Sequence, residues 1–388
     1  MLAKLASEAG TPVVIVQIGY RLQVLGFAAS YDLATEQVCQ NGGSEMLPPG
    51  AYGFVDQRNA LRWVNEHIAD FGGDPTNITA FGISAGSASV HYHILTGDPM
   101  FDRGIMMSGA APSLGPLPFE SFEKAWRKLC ERYGVQSKTP AERLEFLRSV
   151  DPVEISKMYT KAAMGPVGDG ALLPATWEIG GQHRTSRCKS IILGDTRVEG
   201  IIFDGISRSL PQSQLREQAK AIIKDWRGFL MAFGFTLEDL PYEQYRDALR
   251  HFLSAILFQY PNLRIAEGNP NSYYYHFEEP SPYPGPTFGV SYHGQCALYM
   301  YNNETENYPA GGQYVARHMA KIWCAYAYGK EPWEQFEKAH RFMRFGPCGD
   351  IVLTDAKHDN VRDYGYLEWL RSNFEEARLF SQHLLNKT

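Results

Sequence analysis

No apolar run in the 388 residues approaches the ~20 that a membrane-spanning helix requires. No stripe of Lys and Arg is present, and a net charge of −6 offers nothing to a nucleic-acid backbone. A Gly-rich phosphate loop and a dinucleotide fingerprint are both missing, so no cofactor is expected. Cysteine is sparse. The six residues, Cys39, Cys130, Cys188, Cys296, Cys324 and Cys348, have no metal-ligand spacing, so no metal site is expected, and they form no dense disulfide framework. They read mostly as reduced or buried thiols, with room for one or two bridges. Repeats, low-complexity tracts and Pro/Ser/Gly-rich linkers are lacking too, and 44% hydrophobic residues suffice for a large core. The reading is a single domain over residues 1–388.

What is there centres on Gly82-Ile83-Ser84-Ala85-Gly86. The preceding Asn77-Ile78-Thr79-Ala80-Phe81 is β-prone, and the following Ser87–Leu95 has small residues first and an apolar face later. A serine on a sharp strand-to-helix turn is held in a strained backbone conformation, its hydroxyl lifted clear of the sheet. The glycines on either side are expected because a side chain at either place would collide with neighbouring backbone. The five-residue pattern is weak alone; its strand–turn–helix context makes Ser84 a candidate nucleophile. Upstream, Leu61, Val64 and Ile68 recur at helical spacing within Tyr52–Ile68, and Gly72-Gly73-Asp74-Pro75 ends that helix with turn residues.

Together these runs resemble the signature of the type B carboxylesterase family: carboxylesterases, cholinesterases and fungal lipases. Tyr20-Arg21-Leu22 with Leu25-Gly26-Phe27 is similar to the family's Asn-Tyr-Arg segment, with Gly19 where Asn is usual. Gly165-Pro166-Val167-Gly168-Asp169-Gly170 with Leu173-Pro174 is similar to its Pro-Val-x-Asp-Gly stretch. The resemblance implies an α/β-hydrolase fold and a serine hydrolase whose acid and base follow the nucleophile in the order Ser, Asp or Glu, His.

A serine hydroxyl is a weak nucleophile until a base takes its proton and an acid orients that base. The family's acid sits in a Gly-x-x-x-x-Glu-Gly arrangement after a strand. Ser190-Ile191-Ile192-Leu193-Gly194 followed by Asp195-Thr196-Arg197-Val198-Glu199-Gly200 matches it, making Glu199 the acid and Asp195 the reserve. Most loop glutamates are merely solvated, so position and resemblance carry this choice. Eleven histidines compete for the base. His293, in Ser291-Tyr292-His293-Gly294 after the strand Ser272–Phe277, resembles the family's His-Gly, although Gln295-Cys296 follow where an acidic residue is common; that departure is expected to touch the pocket wall more than proton transfer. His276 lies inside the strand as a packed or surface residue, and His91 and His93 read as helix-surface residues. The backbone N–H of Ala85 is the expected oxyanion donor.

Strands near Val13–Ile18, Ile78–Ile83, Gly104–Met107, Ser190–Leu193 and Ser272–Phe277 alternate with helices, which predicts a mostly parallel sheet with helices on both faces. A helical stretch near 212–265 is expected to act as a cap or side region over the pocket. The resemblance also implies a His-Gly-Gly-Gly-type oxyanion loop before the strand at Val13. None is present, and Gly42-Gly43 and Gly311-Gly312 stand in the wrong context. The expectation is a family member lacking its N-terminal segment. Its first residues do not form a signal peptide, leaving localisation open, and sequons at Asn77, Asn303 and Asn386 matter only in a secreted chain. The expected partner is a small-molecule carboxylic ester or acylglycerol. Choline esters are disfavoured because Ile83 stands where cholinesterases carry Glu. The alternative is a non-catalytic relative acting as an interaction domain.

Overall fold

The computed structural model describes residues 2–41, 50–115, 117–158, 165–168 and 187–386. Its centre is one six-stranded sheet: β1 (Thr79–Ile83), β2 (Arg103–Met107), β3 (Ser190–Thr196), β4 (Ser272–Phe277), β5 (Phe342–Phe345) and β6 (Ile351–Thr354), in that spatial order. Every pairing is parallel except β5 with β6. A parallel sheet covered by helices must be apolar on both faces, and β3 and β4 are. Tyr273, Tyr275 and Phe277 of β4 join Ile192, Ile105 and Trp323 in one core, while Tyr274 joins Ile191, Leu193 and Met106 in another. This period-2 division explains why consecutive apolar residues all find burial.

Parallel pairing in this register brings the carboxyl ends of β1, β3 and β4 to one rim. Ser84 leaves β1 there, Glu199 follows β3, and His293 follows β4. Ligands bind at such a rim in open α/β sheets. The 212–265 stretch is helical as expected: Gln212–Ile222, Trp226–Phe233, Tyr242–Ser254, a π-helical turn at Ala255–Gln259, and Tyr260–Gly268. It shares a core with the helix Tyr366–Asn386, in which Phe229 touches the rings of Phe233, Phe252 and Phe380.

Four expectations change. Val13–Ile18 forms no strand, and Val14, Ile15 and Val16 are 45%, 39% and 39% exposed. Its β-branched run suits a strand, but a strand exists only through a partner's backbone, and β1 hydrogen-bonds only to β2 among the described residues. β5 and β6 went unread because four residues each carry too little periodicity. His91 and His93 are buried, not surface residues. The His91 Nδ1 accepts the Ala111 N–H, and the His93 Nε2 pairs with Gln57 Oε1 at 2.8 Å. Burial holds the His93 imidazole down at about 4, so it is neutral. Finally, a Cβ at Gly82 would meet the Gly86 carbonyl carbon at 2.3 Å, but one at Gly86 would meet nothing within 4 Å. The turn therefore demands a glycine on the strand side only.

Candidate active site

The nucleophile candidate sits where β1 turns into the helix Ala85–Leu95. Ser84 has φ 54° and ψ −117°, a conformation L-residues avoid. Such strain survives only where neighbours over-determine it. Here the Ser84 N–H donates to Met107 O (2.9 Å), its carbonyl accepts from the Ala88 N–H (2.9 Å), and Gly109 packs against its backbone so closely that a Cβ there would lie 2.9 Å from Ser84 O. Ala85 is exposed at the first position of that helix, where an N–H has no intrahelical partner. An oxyanion beside Ser84 could accept from it.

Glu199 opens a short 3₁₀ turn, Glu199–Phe203, and is fully buried. Its Oε1 accepts the Thr196 N–H at 2.6 Å, and its Oε2 is bonded to His293 Nδ1. Gly200 is required by packing: a Cβ there would lie 2.3 Å from Arg250 O. The loops carrying Glu199 and His293 are stitched directly, since Val198 bridges to Tyr292 and the Val198 N–H donates to Ser291 O at 2.9 Å. Ser291 Oγ in turn holds Phe277 O at 2.8 Å. Gly294, at φ 90°, starts the next helix, and a Cβ there would lie 3.6 Å from the Ile83 side chain, beside Ser84. No hydrogen bond links Ser84 Oγ to His293 among the described residues; ligand-free sites are commonly loose at this step and tighten on binding.

Gln295 and Cys296 are buried: Gln295 Oε1 accepts the Tyr292 N–H at 3.2 Å, and Cys296 lies between Ser108 and Tyr275. Burial pushes the Cys296 thiol up to about 12. Asp169–Pro174 falls outside the described residues. The five described cysteines form no disulfide with one another, and no cluster of three His, Cys, Asp or Glu that could hold a metal occurs among the described residues. No helix among them is long and apolar enough to cross a membrane.

Asp195, the reserve acid, faces other partners. It accepts from Tyr274 OH (2.7 Å), pairs with His276 Nδ1 (3.0 Å) and is bonded to Arg362, which also grips Glu278. Sequence reasoning found no signal for Arg362. Burial alone would drive the Asp195 carboxyl up, but His276 and Arg362 outweigh it and hold it at about 2. Burial, helped by Arg362, keeps His276 below its ordinary value. The sign follows. A carboxyl depressed from an unfolded value near ~3.9 contributes stability that is present above that pH and lost as pH falls toward about 2. Urea unfolding between pH 5 and pH 2 should show this loss, and Asp195→Asn should flatten that part of the curve. An equally steep curve in the variant would assign the effect to another group.

The sequence profile described as the carboxylesterase family matches residues 3–350. Among curated relatives, acetylcholinesterase of Electrophorus electricus is 35% identical over 206 residues, covering 49% of this chain and 30% of that protein. Neuroligin-2 of Mus musculus is 31% identical over 246 residues, covering 55% of this chain and 28% of its own length. Lipase 3 of Yarrowia lipolytica is 27% identical over 337 residues, or 84% of this chain and 62% of the lipase. The matches thus span between about a quarter and three-fifths of these relatives.

Proposed function

We propose that this chain, which belongs to the carboxylesterase family, hydrolyses carboxylic esters through an acyl-enzyme formed on Ser84. The observation that carries the reading is the buried Glu199 bonded to His293 Nδ1 on two loops stitched together beside the Ser84 turn. A carboxylate on Nδ1 leaves Nε2 as the nitrogen that takes a proton, and it stabilises the imidazolium that results.

The steps follow from these positions. Ser84 Oγ attacks the ester carbonyl as His293 Nε2 accepts its proton, and the Ala85 N–H donates to the oxyanion. His293 returns the proton to the leaving alcohol. Water then attacks the acyl-enzyme with the same base, releasing acid and free Ser84. No cofactor or metal takes part. The substrate is a simple carboxylic ester or an acylglycerol, in keeping with a relative named as a lipase; Ile83, where cholinesterases carry Glu, argues against choline esters.

Incubation with a fluorophosphonate probe should leave one covalent adduct, mapped by peptide mass spectrometry to Ser84 and absent in Ser84→Ala. An adduct on another serine would overturn the assignment. A folded chain left wholly unlabelled would favour the interaction-domain reading instead.

A further inference from the structure

The helix beginning at Tyr242 does not run straight into the one ending at Gly268. Between them Ala255–Gln259 forms a π-helical turn, closed by the Tyr260 N–H reaching five residues back to Ala255 O. All five residues are buried. Turns of this kind insert one residue into a helix, lose hydrogen-bond quality, and persist at functional sites.

The residues flanking and within the turn converge on the end of β3 and the Glu199 loop that follows it. Ser254 Oγ accepts the Gly200 N–H at 2.7 Å, immediately after Glu199. Gln259 Nε2 donates to Arg197 O (3.2 Å) and Thr196 O (3.4 Å), while its Oε1 accepts from Tyr366 OH at 2.9 Å. Asn262 Nδ2 donates to Gly194 O at 3.1 Å. Phe258 meets the base itself, its ring centroid 5.0 Å from that of His293 at an interplanar angle of 57°.

An unbroken α-helix would spread these side chains over a wider arc, about 140°. At roughly 100° per residue, Gln259 and Asn262 would point about 140° and about 80° away from Ser254. The inserted residue removes about one 100° step, bringing Ser254, Phe258, Gln259 and Asn262 within an arc of roughly 100°.

We propose that the π-turn is a positioning device for the proposed acid–base pair: it seats Gln259 under the loop that carries Glu199 and sets Phe258 against the His293 ring. The inference rests on the assignment of Glu199 and His293 under the proposed function. Gln259 orders the carbonyls that fix the loop, and Phe258 limits rotation of the imidazole about its Glu199 bond and shields that bond from water. Neither gives or takes a proton in the reaction.

Two measurements on the full chain test it. Gln259→Met and Phe258→Leu should each lower kcat per titrated site on a p-nitrophenyl ester by about 10- to 100-fold, the cost of misplacing reacting groups by around an ångström. KM should stay within about twofold, and Phe258→Tyr should restore most of the loss. Counting sites with the fluorophosphonate probe removes unfolded chain from the comparison. Independently of turnover, the low-field proton of the Glu199–His293 hydrogen bond in NMR should exchange faster in Gln259→Met. Folded variants with parental kcat and an unchanged low-field proton would overturn the proposal. A parent that shows that proton but takes no probe would sink the hydrolase reading alone, leaving the proton exchange to judge the π-turn.

Discussion

Ser84→Ala should reduce kcat on a p-nitrophenyl ester by about a million-fold, and His293→Ala should reduce it to the same extent. The double variant should lose no more than either single one. Nucleophile and base act as one unit: without the base the hydroxyl stays protonated, and without the hydroxyl the base has no proton to take. What survives comes from substrate binding and from the Ala85 N–H, neither of which depends on the pair. Thermal unfolding should hardly register the Ser84 change, because the side chain is only partly buried and makes no described hydrogen bond. The strained φ of 54° should even be relieved slightly in a Gly variant. Losses of tenfold or less in Ser84→Ala would show that another group attacks the ester.

The second large effect separates two buried carboxylates four residues apart. Glu199→Gln should lower kcat about 10⁴-fold, since an amide can hold the imidazole in the wrong tautomer while filling the same space. Its cost to stability should be small, because the Gln carbonyl can still accept the Thr196 N–H. Asp195→Asn should do the reverse. It strips a charge from a buried cluster in which Arg362, His276 and Tyr274 all bond to that carboxylate, and removing one partner of a buried ion pair costs about 3 kcal/mol. Turnover per folded molecule should stay within tenfold of the parent. Urea denaturation and titrated kcat, measured on both variants, give the comparison. A greater loss of kcat in Asp195→Asn than in Glu199→Gln would reverse the roles of the two residues.

The difference between these carboxylates was only half legible in the chain. Asp195 lies near the end of β3 and Glu199 in the loop after it, and the Glu-Gly resemblance selected Glu199 over Asp195. What Asp195 does instead was not readable, because its partner Arg362 is 167 residues away in a loop with no pattern of its own. His91 and His93 failed for a related reason. On a helix of small residues their polarity suggested solvent, but that helix is pressed against the sheet, and Gln57 and the Ala111 N–H supply the hydrogen bonds their burial needs.

By itself, the sequence determined the features governed by neighbours along the chain. These are the strand–serine–helix turn with its obligatory Gly82, the helix from Tyr52 to His67, the strands β1 to β4, and the order Ser84, Glu199, His293 after β1, β3 and β4. The turn, helix and strands depend on periodicity, glycine geometry or turn chemistry within about ten residues, which a linear pattern records; the order of the three residues is what the family resemblance implied. Tertiary structure alone decided the rest. The Val13–Ile18 run has strand chemistry but no strand partner among the described residues. The short β5 and β6 exist through pairing rather than propensity. The π-turn is the clearest case, since nothing in Ala255-Ile256-Leu257-Phe258-Gln259 distinguishes it from ordinary apolar helix. Its five-residue hydrogen bond is poorer than the one it replaces. Around it Ser254 and Gln259 satisfy buried backbone groups of the Glu199 loop and the end of β3, and Asn262 bonds Gly194 within β3; unpaired polar groups in a core cost more than one imperfect helical turn.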